Sequence, residues 1–293
     1  MLTLLIDQYF RDNYTLFRSD IVKNKFSLWC FYQYLCLKNI VGKITGKNFR
    51  TQKYKNITFE FGNFGSFFAM FTEIFIYNVY YFETDNKTPY IIDCGGNIGM
   101  SVLYFKTLYP NAIVETFEPD RDTVKILERN LKNNNITGVT IHENAVSDKH
   151  EELEFYSFAS MEGGPGNTLE KKHVNFDNVE SYKVQCVKLS ETVKPTTIDF
   201  LKIDIEGTEG RVFKDLEENS DLLSRVKHIS LEYHYDYYSD NNMMSGILSI
   251  LEKNKFNIII NANTLVDIYY SKKKYINHDK KYVLMLDCYR DVE

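Results

Sequence analysis

The feature that most constrains the fold is a regular alternation of short apolar runs and helical runs after residue 85. Six runs have the composition of buried strands: YIID (90–93), IVETFE (113–118), VTIHENAV (139–146), IDFLKIDIE (198–206), HISLEYH (228–234) and FNIIIN (256–261). Helix-forming stretches separate most of these runs. Continuous apolar strands linked by helices are typical of a parallel sheet that is covered on both faces. The sequence therefore predicts an α/β fold.

The chain divides near residue 85, where this alternation begins. Residues 1–85 are irregular and rich in aromatic side chains, and the glycines of FGNFGS (61–66) predict a turn within them. We expect this part to be a mainly helical extension that packs on the main domain, 86–293, and covers its site. The apolar stretch 28–41 is too short to span a bilayer, and a core helix is favoured over an interfacial one.

Two segments interrupt the alternation. The tail, 265–289, has two strand-like runs around a basic loop, which predicts a hairpin at the sheet edge. The interruption at 157–183 has the glycine-rich run EGGPGNTL (162–169) at its centre. Loops of this length inside compact domains are often functional, so either a lid over the site or a surface loop is expected here.

Composition excludes several classes of protein. The net charge of -5 makes nucleic acid an unlikely partner, because binding to phosphates requires a basic surface. The five cysteines are scattered and form no CxxC pair, so neither a disulfide framework nor a zinc site is indicated. The first residues lack the features of a signal peptide, which together with the cysteines predicts a cytoplasmic protein. A peripheral contact with a membrane is left open.

The first strand ends in a turn that suits a nucleotide-like ligand. Asp93 is followed by glycines at 95, 96 and 99 before a helical run, and glycine lets backbone approach a ligand closely. The spacing is not that of the dinucleotide fingerprint. A carboxylate at the strand end would repel a pyrophosphate but attract a cation, so S-adenosylmethionine, with its sulfonium and amino groups, is the candidate ligand. A tight structural turn is the alternative.

Two further strand ends supply candidate cofactor contacts. Glu118 ends the second strand, where its carboxylate can accept hydrogen bonds from both ribose hydroxyls. Asn144 and Ala145 end the third strand, where an amide and a backbone N–H could bind an adenine edge. The structural alternative for Glu118 is a helix N-cap, a role that Asp120 suits better.

The fourth strand carries charges where apolar residues are expected. Lys202, Asp204 and Glu206 alternate with apolar residues, so all three lie on one face of a central strand. Buried charges are costly unless they are paired or used. In a structural interpretation Lys202 neutralises Asp204 while Glu206 caps the next helix. In a functional one Asp204 projects at the carboxyl edge of the sheet, where ligands of parallel sheets bind.

Five motifs in order resemble those of a known family. They are IIDCGGNIGMS (91–101), FEPDRDTVKILERNLKNNN (117–135), NAVSD (144–148), LKIDIEGTEGRVF (201–213) and HISLEYH (228–234). Together they resemble the FkbM-type methyltransferases, a branch of the class I S-adenosylmethionine-dependent enzymes, over about residues 85–240. The resemblance implies a Rossmann-like, mostly parallel seven-stranded sheet with a reversed edge strand, and O-methylation, frequently of sugar hydroxyls or secondary metabolites. By position, the implied cofactor residues are Asp93, Gly95, Asn97, Gly99, Glu118 and Asn144.

The chain departs from the family pattern at three places. Gly96 replaces a small residue that is commonly alanine, which should cost rigidity but not binding. Leu189 and Ser190 stand where a leucine–aspartate pair is frequent, and GPGNTL (164–169) replaces a serine-rich loop. The last two departures affect the expected acceptor site rather than the cofactor site.

An oxygen acceptor is favoured by exclusion. The fourth strand ends in Asp-Ile-Glu-Gly rather than the Asn/Asp-Pro-Pro-aromatic clamp of base N-methylating enzymes, and no proline adjoins a cysteine as thiolate-dependent cytosine methylation would favour. A hydroxyl needs a base near its proton. His234 is the first candidate and Asp204 the second. A divalent cation held by Asp204, Glu206 and His234 is the alternative, ranked below metal-free catalysis.

Two other functions share the predicted architecture. A protein that keeps the fold but has lost turnover would bind the cofactor without transfer, and the acids at 93, 118 and 204 argue against it. A nicotinamide-dependent oxidoreductase is disfavoured by the glycine spacing. The sequence therefore predicts an O-methyltransferase acting on a hydroxyl, foremost of a sugar in a glycan or glycoconjugate, with a secondary metabolite as the alternative acceptor.

Overall fold

The structure is a computed structural model of the 293-residue chain, and it describes residues 2–158, 167–169, 179–236, 244–262 and 281–290. Its helices are α1 (Leu2–Arg18), α2 (Lys25–Thr45), α3 (Phe64–Phe71), α4 (Met100–Leu108), α5 (Arg121–Asn133), α6 (Leu189–Thr192), α7 (Glu209–Glu218), α8 (Ser220–Ser224) and α9 (Met244–Lys253), with a π-helical segment at Thr72–Tyr77. Its strands are β1 (Thr51–Tyr54), β2 (Ile57–Glu60), β3 (Tyr90–Cys94), β4 (Ile113–Phe117), β5 (Val139–His142), β6 (Ala145–Val146), β7 (Glu151–Phe158), β8 (Val179–Val187), β9 (Ile198–Ile203), β10 (Val226–Asp236), β11 (Asn257–Ala262) and β12 (Lys281–Tyr289).

A seven-stranded sheet forms the centre of the fold, in the order β11-β12-β10-β9-β3-β4-β5. The pairs from β10 across to β5 are parallel, whereas β12 is antiparallel to both of its neighbours. Strands β3 and β9 are buried at every residue, since helices cover both faces. The predicted α/β fold with a mostly parallel sheet is confirmed. The reversed strand, the last in the chain, lies one position in from the edge.

A smaller sheet lies around the interruption that was predicted at 157–183. Strands β6, β8 and β7 form it, with β8 between the other two. The run 139–146 was expected to be one strand, but in the structure it is divided into β5 and β6, which belong to different sheets. β7 and β8 shorten the interruption predicted at 157–183. The glycine-rich residues 162–166 lie outside the described part, as does the first strand-like run of the tail.

The part before residue 85 is mainly helical and packs on the main domain. Its core is a cluster of buried phenylalanines in which the rings of Phe61 and Phe67 stack at 4.3 Å. The side chain of Asn130, on α5, is fully buried and bonds both the N–H (2.7 Å) and the C=O (2.9 Å) of Glu60. These bonds join β2 to the main domain. The domain boundary at residue 85 stays a prediction.

Helix α2 contains the stretch that was expected to be a core helix. Only Leu28, Tyr32 and Leu35 of this helix are buried. The opposite face is apolar but exposed, with Ile44 79% exposed. The core-helix prediction is therefore wrong for half of the helix surface. None of the described helices is long and apolar enough to cross a lipid bilayer.

Candidate active site

A cavity opens at the carboxyl ends of β3, β4, β9 and β10, where ligands of parallel sheets bind. Seven of the residues predicted from the sequence line it or its turn: Gly95, Asn97, Glu118, Asn144, Ala145, Asp204 and Glu206. Asp93, Gly99 and His234 are not among the lining residues. Part of the wall comes from the N-terminal extension, which contributes Met70, Glu73 and Ile74.

The turn after β3 requires glycine at its first position. Gly95 has φ +90°, and a Cβ there would overlap the backbone oxygen of Asp204. The N–H groups of Gly95 and Gly96 both donate to the carbonyl of Phe117, at 2.9 and 3.0 Å. The backbones of β3, β4 and β9 therefore meet at this turn more closely than a side chain would allow.

The structure gives a reason for glycine at position 96 that the resemblance to the family did not suggest. A Cβ at this position would overlap Oγ1 of Thr116. That hydroxyl lies 3.2 Å from a carboxylate oxygen of Asp93, to which it donates. The smaller residue at 96 thus leaves room for a hydrogen bond to Asp93.

Asp93 does not line the cavity. It is fully buried, accepts a hydrogen bond of 2.7 Å from Ser101 Oγ, and lies 3.2 Å from Nζ of Lys202. The expected direct contact between Asp93 and a cationic cofactor is not supported by this geometry. Asp93 instead holds Lys202, which is a positioning role.

Lys202 is a buried cation that joins the turn to the strand-end acid. Its Nζ lies 3.4 Å from Asp204 Oδ2 and donates to the carbonyl of Gly95 at 2.8 Å. Burial alone would lower the pKa of Lys202, but Asp93 and Asp204 outweigh it and raise the pKa above its ordinary value. The pairing that we considered between Lys202 and Asp204 is present. Glu206 does not cap the next helix, because Thr208 is the N-cap residue of α7.

Glu118 is oriented by backbone on both sides. One carboxylate oxygen accepts from the N–H of Asn97 and the other from the N–H of Asp120, each at 2.9 Å. Each oxygen keeps a second lone pair that could accept a ligand hydroxyl. Burial raises the pKa of Glu118 to about 7, although the two backbone donors act in the opposite direction. Asp120 caps α5, as the sequence suggested.

An apolar wall adjoins Glu118. Phe117, Val146 and Phe155 line the cavity beside Asn144 and Ala145. Asn144 is half-buried, and its Nδ2 lies 3.4 Å from the carbonyl of Gln185 on β8. The small sheet therefore supplies one side of the cavity. This side is apolar, as the binding of an aromatic ring would require.

In addition to Glu118 and Glu206, three carboxylates line the cavity from separate segments: Glu73 from the π-helical segment, Asp204 after β9, and Glu232 on β10. The hydroxyl of Tyr80 donates to Asp204 Oδ2 at 3.1 Å. Burial, together with the charges of Glu232 and Asp204, raises the pKa of Glu73 to about 8. Burial and Asp204 also raise the pKa of Glu232. Carboxylates with raised pKa values in one cavity are typical of a functional site.

His234 is surrounded by acids. Its Nδ1 lies 2.9 Å from Glu209, and its Nε2 lies 3.4 Å from Glu206 and 3.5 Å from Glu232. Burial would lower the pKa of His234, but these carboxylates raise it well above its ordinary value. Contrary to our expectation, it does not end its strand, since β10 continues to Asp236. A protonated imidazole held on both nitrogens is poorly suited to act as a base.

The lining residues that the sequence did not predict include Glu73, Tyr80, Phe155 and Glu232. Glu232 could have been found, because it lies two residues before His234 on the same face of the strand. Nothing in the local pattern around the other three residues indicates a role in the site. They reach the cavity only through tertiary packing.

One group of ligand atoms among the described residues could hold a metal ion. It consists of Asp204, Glu232 and His234, whose ligand atoms lie within 4.8 Å of one another. The sequence suggested Glu206 where the structure has Glu232. Both oxygen and nitrogen ligands are available, which a divalent cation could accept.

The described residues of the predicted lid contact the site. Asn167 Nδ2 donates to Asp120 at 2.7 Å, and Thr168 Oγ1 donates to the carbonyl of Glu206 at 2.7 Å. Asn167 and Leu169 line the cavity. A lid over the acceptor stays a prediction.

Comparisons with known proteins show the family to which the chain belongs. The model of the Methyltransferase FkbM domain matches residues 93–258. Methyltransferase 1 of Beauveria bassiana (strain ARSEF 2860) is 32% identical over 172 residues, covering 53% of this chain and 69% of the relative. The 31-O-demethyl-FK506 methyltransferase FkbM of Streptomyces tacrolimicus is 23% identical over 202 residues, covering 60% of this chain and 75% of the relative.

Among solved structures, the methyltransferase FkbM of Methylobacillus flagellatus KT is similar, with 16% identity and a TM-score of 0.46. The similarity covers 92% of this chain and 60% of the other. The family model alone covers more than half of the chain and begins at Asp93, the last residue but one of β3. The chain is a member of the FkbM methyltransferase family.

Proposed function

We propose that the protein is an S-adenosylmethionine-dependent O-methyltransferase, acting foremost on a sugar hydroxyl of a glycan or glycoconjugate. The observation that carries the proposal is the cluster of Glu73, Asp204 and Glu232 beside the glycine turn. An acidic, partly desolvated cavity attracts a sulfonium cation and also offers acceptors for a hydroxyl proton. A secondary metabolite is the alternative acceptor.

The cofactor is assigned to the half of the cavity nearest β3 and β4. Glu118 would accept hydrogen bonds from the two ribose hydroxyls, and the residues that would hold the adenine are Phe117, Phe155, Asn144 and Ala145. The backbone at Gly95, Asn97 and Gly99 lets the methionine part approach the sheet. Asp204 then balances the sulfonium charge, held in place by Lys202 and Tyr80. When bound, the cofactor supplies the methyl group.

Transfer to oxygen is supported by the chemistry of the lining residues. No cysteine lines the cavity as far as the structure describes it, so a thiolate route to carbon has no nucleophile there. One relative is named for a 31-O-demethyl substrate, that is, for a site on oxygen. A hydroxyl acceptor is also compatible with the polar groups of Glu73 and Glu232, which could orient it.

Proton removal is assigned to Glu232, with Asp204 as the second candidate. The acceptor oxygen attacks the methyl carbon, the S–C bonding pair stays on sulfur, and the hydroxyl proton passes to a carboxylate. The products are a methyl ether and S-adenosylhomocysteine. His234 is reassigned from base to positioning residue, because its Nε2 lies 3.5 Å from Glu232 and its Nδ1 is bonded to Glu209. A raised pKa brings Glu232 closer to the working pH of a base.

The first test is transfer of labelled methyl groups from S-adenosylmethionine to a panel of mono- and oligosaccharides and hydroxylated metabolites. Glu232→Gln should lower turnover by about 10²-fold or more, the range of general-base catalysis, with little change in cofactor affinity. Glu128→Gln, an exposed site on α5, is the matched control. Cofactor binding without transfer to any acceptor would favour a binding protein. Loss of turnover and of cofactor affinity together would assign Glu232 to the cofactor.

The second test concerns the metal alternative. The same assay is repeated with a chelator and then with added Mg²⁺. Full activity in the chelator supports proton removal by a carboxylate alone. Loss that Mg²⁺ restores would recast Asp204, Glu232 and His234 as ligands that acidify the hydroxyl.

The N-terminal extension and the loop are proposed to enclose the acceptor. The support is that Met70 and Ile74 from one, and Leu169 from the other, line the same cavity. Limited proteolysis with and without cofactor plus acceptor tests the lid, since cleavage of 157–183 should slow when both are bound. Equal cleavage rates would contradict it.

A further inference from the structure

Most of the large apolar side chains that the described structure exposes lie on α1 and α2. On α1 they are Tyr9, which is 36% exposed, and Ile6, Phe10, Tyr14 and Phe17, which recur every three or four residues and are 45–66% exposed. This is the spacing of one helix face. Asp12 and Leu16 lie on the opposite face and are buried against the rest of the protein.

Helix α2 repeats the arrangement. Its exposed apolar side chains are Phe26, Tyr34, Leu37, Ile40, Val41 and Ile44, and all of them but Ile40 lie at the spacings of one helix face. Their exposed fractions run from 40% to 79%. The residues opposite them, Leu28, Tyr32 and Leu35, form the buried face that was described above.

The two stripes lie on the same side of the helical pair. The rings of Tyr9 and Tyr32 stack at 6.3 Å, and those of Phe17 and Trp29 lie 6.3 Å apart, so the contacts run in opposite chain directions and the helices are antiparallel. At about 100° per residue, the stripe of α1 is roughly 55° and that of α2 roughly 120° round from the side that faces the partner helix, in the same rotational sense. In antiparallel helices, rotations of the same sense turn both stripes to one side. They form a continuous apolar face, which we call the hairpin face.

Basic residues surround this face. The stretch 18–55 holds nine lysines and arginines and one aspartate, whereas the whole chain has a net charge of -5. Lys23 precedes α2, while Lys43 and Lys47 lie at its end, and all three are exposed. Lys55, also exposed, is on the β1–β2 turn, and that hairpin contacts α2 through the stacked rings of Tyr54 and Phe31, 4.4 Å apart. The positive charge is therefore local to the helical pair.

We propose that the hairpin face docks on the surface of an anionic lipid bilayer. Apolar and aromatic side chains that insert among acyl chains, surrounded by lysines that contact headgroups, are the features of an interfacial helix. A second copy of the chain would bring an equal positive charge against this one. Nucleic acid would pair with the lysines but leave Leu37, Val41 and Ile44 without apolar contacts. Charge complementarity thus selects anionic lipid.

In the docked protein, the helical pair that binds the membrane would also contact the elements that line the cavity. The buried side of the helical pair packs on α3 and the π-helical segment: the rings of Tyr32 and Phe68 stack at 5.8 Å, and Tyr77 donates to Asp12 at 2.6 Å. The same two elements supply Met70, Glu73 and Ile74 to the cavity wall. The proposal itself does not depend on the reaction catalysed.

The experiment is co-sedimentation of the full chain with vesicles of phosphatidylcholine alone or with added phosphatidylglycerol. Binding should be at least about tenfold stronger with the anionic lipid and should fall at high salt. Trp29 is the single tryptophan of the chain and its ring stacks on that of Phe26, 5.9 Å away. Its emission should therefore shift to shorter wavelength when the hairpin face is buried in lipid.

The key variant is Leu37→Ser with Val41→Ser and Ile44→Ser, which should lose about tenfold or more of the binding to anionic vesicles. Ile259→Ser with Ile260→Ser is the matched control, because these side chains on β11 are 48% and 49% exposed and should not affect binding. Circular dichroism and urea unfolding verify that both variants fold.

A second variant tests the charges without altering apolar surface. Lys43→Glu with Lys47→Glu should weaken binding to anionic vesicles and leave binding to phosphatidylcholine alone unchanged. The proposal is overturned if the wild-type chain fails to bind anionic vesicles, or if the serine variant binds as the wild type does. It is also overturned if the hairpin face instead mediates self-association or oligonucleotide binding.

Discussion

Replacing Glu118 by glutamine should raise the stability of the ligand-free protein at alkaline pH while it weakens cofactor binding. The pKa of Glu118 is raised from 4.5 to about 7 by burial. The folded protein therefore binds this proton more tightly than the unfolded chain does. Wild-type stability must fall as the pH rises from about 4.5 to 7, whereas glutamine does not titrate.

The magnitude follows from the size of this shift. A tenfold change in proton affinity is worth about 1.4 kcal/mol, so ionised Glu118 costs about 3 kcal/mol of folding free energy above pH 7. Glutamine offers one carbonyl oxygen to the N–H groups of Asn97 and Asp120, and losing one of these bonds costs about 1–2 kcal/mol at every pH. We expect Glu118→Gln to stabilise the protein by about 1–2 kcal/mol at pH 8 and to destabilise it at pH 5.

Urea unfolding at pH 5 and pH 8 measures both values, with Glu128→Gln on α5 as the exposed control. The change between the two pH values, about 2–3 kcal/mol, isolates the ionisation from the lost hydrogen bond. Calorimetry with S-adenosylhomocysteine at pH 8 should show affinity reduced by about 10- to 100-fold. An equal effect on stability at both pH values would refute the role of burial, and unchanged affinity would refute the ribose assignment.

Three further predictions concern stability. Lys202→Met should destabilise the fold by about 3–5 kcal/mol in urea unfolding, because Asp93 then loses its buried cation; an effect below 1 kcal/mol would mean that Asp93 becomes neutral at little cost. Gly96→Ala should strongly destabilise the fold by itself but less in the presence of Thr116→Ala, because the alanine methyl group then has room. A double-mutant cycle in which the two effects on unfolding free energy are additive would contradict this steric conflict. Asn130→Ala should lower the free energy of unfolding by about 2–4 kcal/mol, since buried backbone groups of β2 lose their partner. The control is the exposed neighbour Asn133→Ala, which should have no effect in thermal unfolding.

Much of the main domain could be predicted because its signals are local. Apolar runs of strand length between helical stretches require a covered parallel sheet, whatever the rest of the chain does. A parallel sheet in turn brings the carboxyl ends of its strands to one edge, so Glu118 and Asp204 were expected together from their positions alone. The structure has both lining one cavity.

Predictions failed where a residue's role depended on what packs against it. The apolar stretch 28–41 has the composition of a core helix, but one of its faces has no partner among the described residues. Asp93 has the position of a ligand contact, but Ser101, Thr116 and Lys202 surround its carboxylate. Periodicity shows that a helix face is apolar or that an acid lies near the end of a strand, but it does not show which groups the side chain contacts.

The sequence by itself determined the sheet, the glycine turn and the strand-end acids, because each depends on periodicity or spacing within a few residues. Only the tertiary structure decided which acids act together. Glu73 comes from an extension outside the family motifs, and His234 is held by Glu209 from α7. The raised pKa of Glu73 arises from burial and from the charges of Glu232 and Asp204, whereas that of His234 arises from carboxylates, among them Glu206 and Glu209, that outweigh its burial. Such distances are set when the extension, α7 and β10 pack on the sheet, and no local pattern in the sequence records them.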